Sequence, residues 1–260
     1  MTIKSLENVY LICPLSLGDY FVCNAIVHNF AQLAHSVTLP VLPQFLATVG
    51  CLYQQTSNVR LVPYLGAAEE QNFITDNNLA VINFRTIFEN TDLWLQGQSS
   101  SVSVPVYWDR QIYEYFDIPF SRRYRDFRLP CPINGAEALY HKLNPQGEPF
   151  ALWHRYTSSH VGGVDIDLAS WRPSAGLDPD LKIISVEIGH TANLLDYTML
   201  IEQATEIHVV PSSMHCLVDS ICTTIPAALF YHDIRKNTLM QPNCRWNNWK
   251  WNVVKYPLKV

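Results

Sequence analysis

The sequence predicts an α/β protein of two doubly wound lobes, each built on a mainly parallel sheet, and three observations carry that expectation. Apolar runs of strand length alternate with helix-length spacers, the pattern of strands joined by crossover helices. Prolines cluster at positions 130, 132, 145 and 149 and mark a connection near the middle of the chain. A strand-to-helix turn also lies near each end, at Leu15-Ser16-Leu17-Gly18-Asp19-Tyr20 and at Pro211-Ser212-Ser213-Met214-His215. The expected boundaries are an N-terminal lobe over 1–130, a linker over 131–149 and a C-terminal lobe over 150–260.

In the first lobe, Val9-Tyr10-Leu11-Ile12-Cys13 is a short apolar run suited to a strand covered on both faces. A helix over Tyr20 to Ala34 should follow, because Phe21, Ala25, Ile26, Val27 and Phe30 recur at helical spacing. Gly18 lends the turn conformational freedom. Asp19 falls on the first helical turn, where free amides and the helix dipole favour negative charge. A carboxylate there either caps the helix or serves a ligand. Strands over 37–41, 59–63 and 79–84 and a helix over 44–55 complete the lobe. The linker carries a short helical run from Gly135 to Leu143.

In the second lobe, strands are expected over 150–153, 181–186, 207–210 and 227–231, with a helix over 193–204. Pro211 stops its strand, and Ser212 and Ser213 either cap the next helix or offer hydroxyls to an anion beside free N–H groups. Ligands of doubly wound sheets gather beyond the carboxyl ends of the strands. Asp19, Ser212-Ser213 and His154-Arg155-Tyr156-Thr157-Ser158-Ser159 all fall on such an edge, and Arg155 is suited to neutralise a phosphate.

Hydrophobic residues make up 48% of the 260 and charged ones 16%, which supplies a core and argues against a disordered chain. The net charge of −5 argues against a generally basic nucleic-acid binder. Two local basic stretches remain: Arg122 to Arg128, with four arginines, and Cys244 to Val260, where Trp246, Trp249 and Trp251 interleave with Arg245, Lys250, Lys255 and Lys259. A tail of the second kind either contacts nucleic acid or packs across a domain junction. Seven cysteines form no C-x-x-C pair, several sit in apolar runs, and no signal-peptide pattern or membrane-length apolar stretch is present. A soluble protein of a reducing cytoplasm is expected.

The chain has no G-x-G-x-x-G, Walker P-loop, H-E-x-x-H or G-x-S-x-G, so nicotinamide enzymes, P-loop NTPases, zincins and typical α/β-hydrolases lose their signatures. Asp165-Ile166-Asp167 has the D-x-D form that holds a divalent metal in some sugar transferases, but such triplets are frequent by chance. Ser213, His215 and Asp219 come from one turn and its helix, a poor source of triad geometry.

Leu17-Gly18-Asp19 and Ser212-Ser213-Met214-His215-Cys216-Leu217, in this order and each after a strand, resemble the two motif turns of the GT-B glycosyltransferases, especially the ADP-heptose:lipopolysaccharide heptosyltransferase-like group. The resemblance implies a GT-B-like fold, two Rossmann-type lobes with an inter-lobe cleft. It implies a glycosyltransferase that moves a sugar from a nucleoside-diphosphate sugar to a hydroxyl acceptor, metal-independent and inverting. The N-terminal lobe would hold the acceptor and the C-terminal lobe the nucleotide sugar.

Asp19 is then the general base, with Gly18 and Tyr20 on the acceptor side. Ser212, Ser213, Met214 and His215 surround the donor, joined by Thr157 and Ser158 and by His154 and Arg155, the latter two in place of the family's phosphate lysine. The implied partners are a nucleotide-sugar co-substrate, with no further cofactor, and a glycan, lipid-linked sugar or DNA acceptor. Two departures stand out: the family's Asp-Ser/Thr-Gly turn is Pro-Ser-Ser here, and the chain is shorter than typical members. A DNA-modifying sugar transferase acting on a hydroxylated base, and a non-catalytic nucleotide- or carbohydrate-binding protein, are the alternatives on the same frame.

Overall fold

The computed structural model of the protein describes residues 6–13, 16–83, 108–157, 165–234 and 251–256. The chain divides into two compact units, Met1–Cys131 and Pro132–Val260.

The first unit contains β1 (Leu6–Ile12), α1 (Leu17–Val22), α2 (Asn24–Leu33), β2 (Ala34–Val41), α3 (Leu46–Tyr53), β3 (Val59–Pro63), α4 (Ala67–Asp76) and β4 (Ala80–Asn83). These strands pair in parallel in the order β3-β2-β1-β4. Val9 to Ile12 are buried without alternation, as a central parallel strand covered on both faces requires. The helix expected from Tyr20 to Ala34 is interrupted at Cys23, whose ψ is 0°. Asn24 opens α2 after the break, and its Oδ1 accepts from the Arg128 amide at 2.8 Å.

Helices α5 (Trp108–Tyr115) and α6 (Arg122–Arg125) complete this unit. Arg123 is buried and pairs with Asp109, while Arg122 and Arg125 both pair with Asp126. Three of the four arginines from Arg122 to Arg128 are thus paired locally, with two carboxylates between them. The tract from Gln96 to Ser103 that reads as a loop, and Trp246 and Trp249, lie outside the described residues.

The second unit contains α7 (Ala136–Leu143), β5 (Phe150–His154), α8 (Leu168–Ser174), β6 (Lys182–Ser185), a 3-10 turn (Leu194–Tyr197), α9 (Thr198–Gln203), β7 (Glu206–Val209), α10 (Ser213–Ile221), β8 (Ala228–Asp233) and β9 (Trp251–Lys255). Its parallel sheet runs β6-β5-β7-β8-β9. Pairing sets Trp153 beside His208 and His208 beside Phe230, so these three share one face, against which Trp171 of α8 packs. Trp251 belongs to this sheet, where its indole donates to Asp219 of α10 at 3.0 Å.

Helix α8 carries Pro173 and was not anticipated. Asp167 caps it, accepting from the Ser170 amide at 3.2 Å and the Ser170 hydroxyl at 2.5 Å. The D-x-D triplet therefore contributes a cap from Asp167, and Asp165 is exposed.

Candidate functional site

In each sheet the direction of chain travel reverses around the first strand of the unit. β1 lies between β2 and β4, and β5 between β6 and β7, so both units have a topological switch point, the place at which doubly wound sheets bind their ligands. The expected site residues that the structure describes follow the strands at these two places.

In the first unit, α1 follows β1 directly and carries Asp19 in its opening turn. Oδ2 of Asp19 accepts from the Ser16 amide at 2.9 Å and the Ser16 hydroxyl at 2.6 Å, so the carboxylate does cap its helix. Burial nevertheless dominates its titration, lifting the pKa to about 6 against the opposing Ser16 bonds. Gly18 is buried beside it. Tyr20 is wholly buried, and its hydroxyl donates to the Pro40 carbonyl at 2.5 Å, which makes it a core anchor beneath the turn.

In the second unit, the ends of β5 and β7 are brought together. Ser212 Oγ lies 3.2 Å from His154 Nδ1, donates to the Val210 carbonyl at 2.9 Å and accepts from the His215 amide at 3.2 Å. Its hydroxyl is fully engaged as the cap of α10. What α10 offers an anion is therefore the backbone N–H groups of Ser213 and Met214 and the partly exposed Ser213 hydroxyl. Met214 is wholly buried, and the His215 ring packs 4.7 Å from Tyr231 and 5.3 Å from Trp251, facing the sheet.

His154 is buried and held neutral, its pKa lowered to about 4 by desolvation, so the positive charge at this edge belongs to Arg155. The Arg155 guanidinium stands 5.4 Å from the Tyr156 ring centroid, and its buried Nε has no hydrogen-bond partner among the described residues. Thr157 is buried next to it, and Ser158 lies outside the described residues.

Glu187, just past β6 and bonded by the Tyr156 hydroxyl, joins the same edge. The strand-end rule that selects Arg155 also selects Glu187, since it directly follows the apolar run of 181–186. Among the described residues no three His, Cys, Asp or Glu side chains gather to hold a metal ion, and no helix is long and apolar enough to cross a membrane.

Two mainly parallel sheets in this chain order make an α/β fold of the kind found in GT-B glycosyltransferases, as the sequence led one to expect. No family model matches the chain, and no curated protein matches its sequence. Solved structures do match. The chain is similar to the family 9 glycosyltransferase of Veillonella parvula DSM 2008, with TM-score 0.56 and 8% identity over 98% of this chain and 88% of that one. It is similar to Escherichia coli ADP-heptose lps heptosyltransferase II, with TM-score 0.52 and 10% identity over 97% and 91% of the two chains. It is also similar to E. coli heptosyltransferase WaaC with ADP, with TM-score 0.51 and 12% identity over 96% and 94%. At these identities the likeness establishes the fold.

Proposed function

We propose that the protein is a glycosyltransferase that transfers a sugar from a nucleoside-diphosphate sugar to a hydroxyl acceptor, with Asp19 as general base. The observation that carries this is Asp19 itself, a carboxylate at the switch point of the first sheet with a pKa lifted to about 6. An alcohol is a weak nucleophile at neutral pH. A carboxylate tuned towards the working pH, yet ionised at it, is suited to take the hydroxyl proton as the new glycosidic bond forms. With Oδ2 tied to Ser16, Oδ1 is the atom to receive that proton.

The second unit holds the donor. The departing diphosphate gains negative charge, which the first-turn amides of α10 and the Arg155 guanidinium stabilise without a metal. Direct displacement by the activated hydroxyl inverts the anomeric centre. The acceptor is a glycan or a lipid-linked sugar, and ADP, the nucleotide named with the E. coli structures, is the first donor nucleotide to try. Cys13, Cys23, Cys216 and Cys222 are buried free thiols, which suits a cytoplasmic protein in a reducing compartment.

Arg155→Ala should weaken nucleoside-diphosphate binding by about 1.5–3 kcal/mol, the range for a hydrogen bond to a charged group. Calorimetric titration with ADP measures this, and unchanged affinity in a folded variant removes Arg155 from the site. Transfer should also proceed at full rate after metal stripping and in EDTA. Activity that returns only with added magnesium or manganese would reassign Asp165 and its neighbours as ligands.

A further inference from the structure

A chain of buried hydrogen bonds crosses the second sheet from its amino edge to its carboxyl edge. It begins at Arg172, 1% exposed, whose Nε and Nη2 donate to the two Glu206 carboxylate oxygens at 2.8 and 3.1 Å. Glu206 Oε2 meets His208 Nε2 at 3.0 Å, and His208 Nδ1 meets His232 Nε2 at 3.0 Å. His232 Nδ1 meets Tyr256 Oη at 2.5 Å. Both imidazoles are wholly buried in an aromatic cage: Phe230 stacks on His208 at 4.5 Å, and Trp171 stands edge-on to His208 and His232 at 5.7 and 5.1 Å.

Each link has one workable direction. Burial raises the Glu206 pKa, but hydrogen bonds from Arg172 and His208 outweigh this and keep it ionised, so it only accepts. His208 Nε2 must therefore carry a proton. Desolvation holds both rings neutral, lowering His208 to about 4 and His232 to about 3. A neutral imidazole has one N–H, which leaves His208 Nδ1 as an acceptor and requires His232 Nε2 to donate to it. His232 Nδ1 is then an acceptor in turn. The single proton of Tyr256 is committed inward, and the oxygen has only lone pairs left to offer.

Tyr256 directly follows β9 on the carboxyl edge of the sheet, the edge where doubly wound sheets bind ligands, and it is only partly buried. Resting on the donor role assigned above to this unit, we propose that Tyr256 is a specificity residue whose Oη accepts a hydrogen bond from a neutral donor group of the nucleotide sugar, a sugar hydroxyl or a base amine. An unanchored phenol can turn its proton to suit either kind of partner. This one discriminates, because a ligand carbonyl or phosphate oxygen at the same place meets lone pair against lone pair.

The test is calorimetric titration of the full chain and its Tyr256→Phe variant with ADP, UDP and GDP and their glucose conjugates, together with ¹⁵N NMR of the histidines at pH 7. The variant should bind a ligand of the wild type about 3–10-fold more weakly, the effect of one neutral hydrogen bond. A loss already present with the diphosphate places the donor group on the nucleoside, and a loss confined to the conjugate places it on the sugar. Both His208 and His232 should appear as Nε2–H tautomers. Equal affinities in the two proteins, or either histidine protonated on Nδ1, overturns the inference and leaves the proposed function standing. A wild type that binds none of the six ligands sinks the proposed function and this inference with it.

Discussion

Asp19→Asn should lower turnover by about 10²–10⁴-fold while leaving donor binding and the fold intact, because it removes the proton acceptor and little else. Asparagine is the same size, and its amide oxygen still accepts from the Ser16 amide and hydroxyl that hold Asp19 in place. The pH dependence sharpens the test. The base works only when ionised, so wild-type activity should rise with pH through about 6 and then level off.

The sign for stability is the reverse. A carboxyl whose folded pKa is raised from 3.8 to about 6 favours the fold when protonated, a contribution lost as pH rises through about 6. At pH 8 the asparagine variant should therefore melt no lower than the wild type. Activity and melting temperature measured on one preparation decide the matter. Wild-type turnover in Asp19→Asn, or a collapse of its melting temperature, leaves Asp19 as a cap alone.

Arg172→Met should destabilise the protein by about 3–5 kcal/mol, the usual cost of removing one partner from a buried ion pair. That is a large part of the roughly 5–15 kcal/mol that holds a typical protein folded. The cause is Glu206, left ionised under α8 without its two-point partner. Its remaining bond comes from a neutral His208. Arg172→Met combined with Glu206→Gln removes both charges and should recover most of the loss, which a urea titration of the three proteins will measure. A single variant as stable as the wild type would mean that water reaches Glu206.

The strand-end turns were legible because their cause is local. An apolar run, a small-residue turn and a capped helix start occupy about fifteen adjacent positions, enough to find Asp19 after β1, Ser212 before α10 and Arg155 after β5. Side-chain direction within those turns was not legible. Ser212 and His154 turn to each other, His215 turns to Tyr231 and Trp251, and Tyr20 reaches Pro40, each through a partner at least twelve residues away. Helix α8 was hidden by Pro173, and β9 by the tryptophan-rich run that contains Trp251 and reads as a tail. The hydrogen-bonded chain from Arg172 to Tyr256 left no trace in the sequence, since its five members sit on four separate elements or their flanks and only the pairing of β7 with β8 and β8 with β9 aligns them.

The place of β9 at the edge of its sheet has a consequence for synthesis. Every strand of the first sheet is synthesised once residue 83 is made, so that sheet can close early. In the second, β8 ends at Asp233 and its partner begins at Trp251, a delay on the order of a second at ordinary translation speed. During that interval the row of N–H and C=O groups on β8 is an open edge able to pair with another chain, and the Asp219 carboxylate lacks its indole donor. The nascent second unit thus carries an open strand edge until β9 is made.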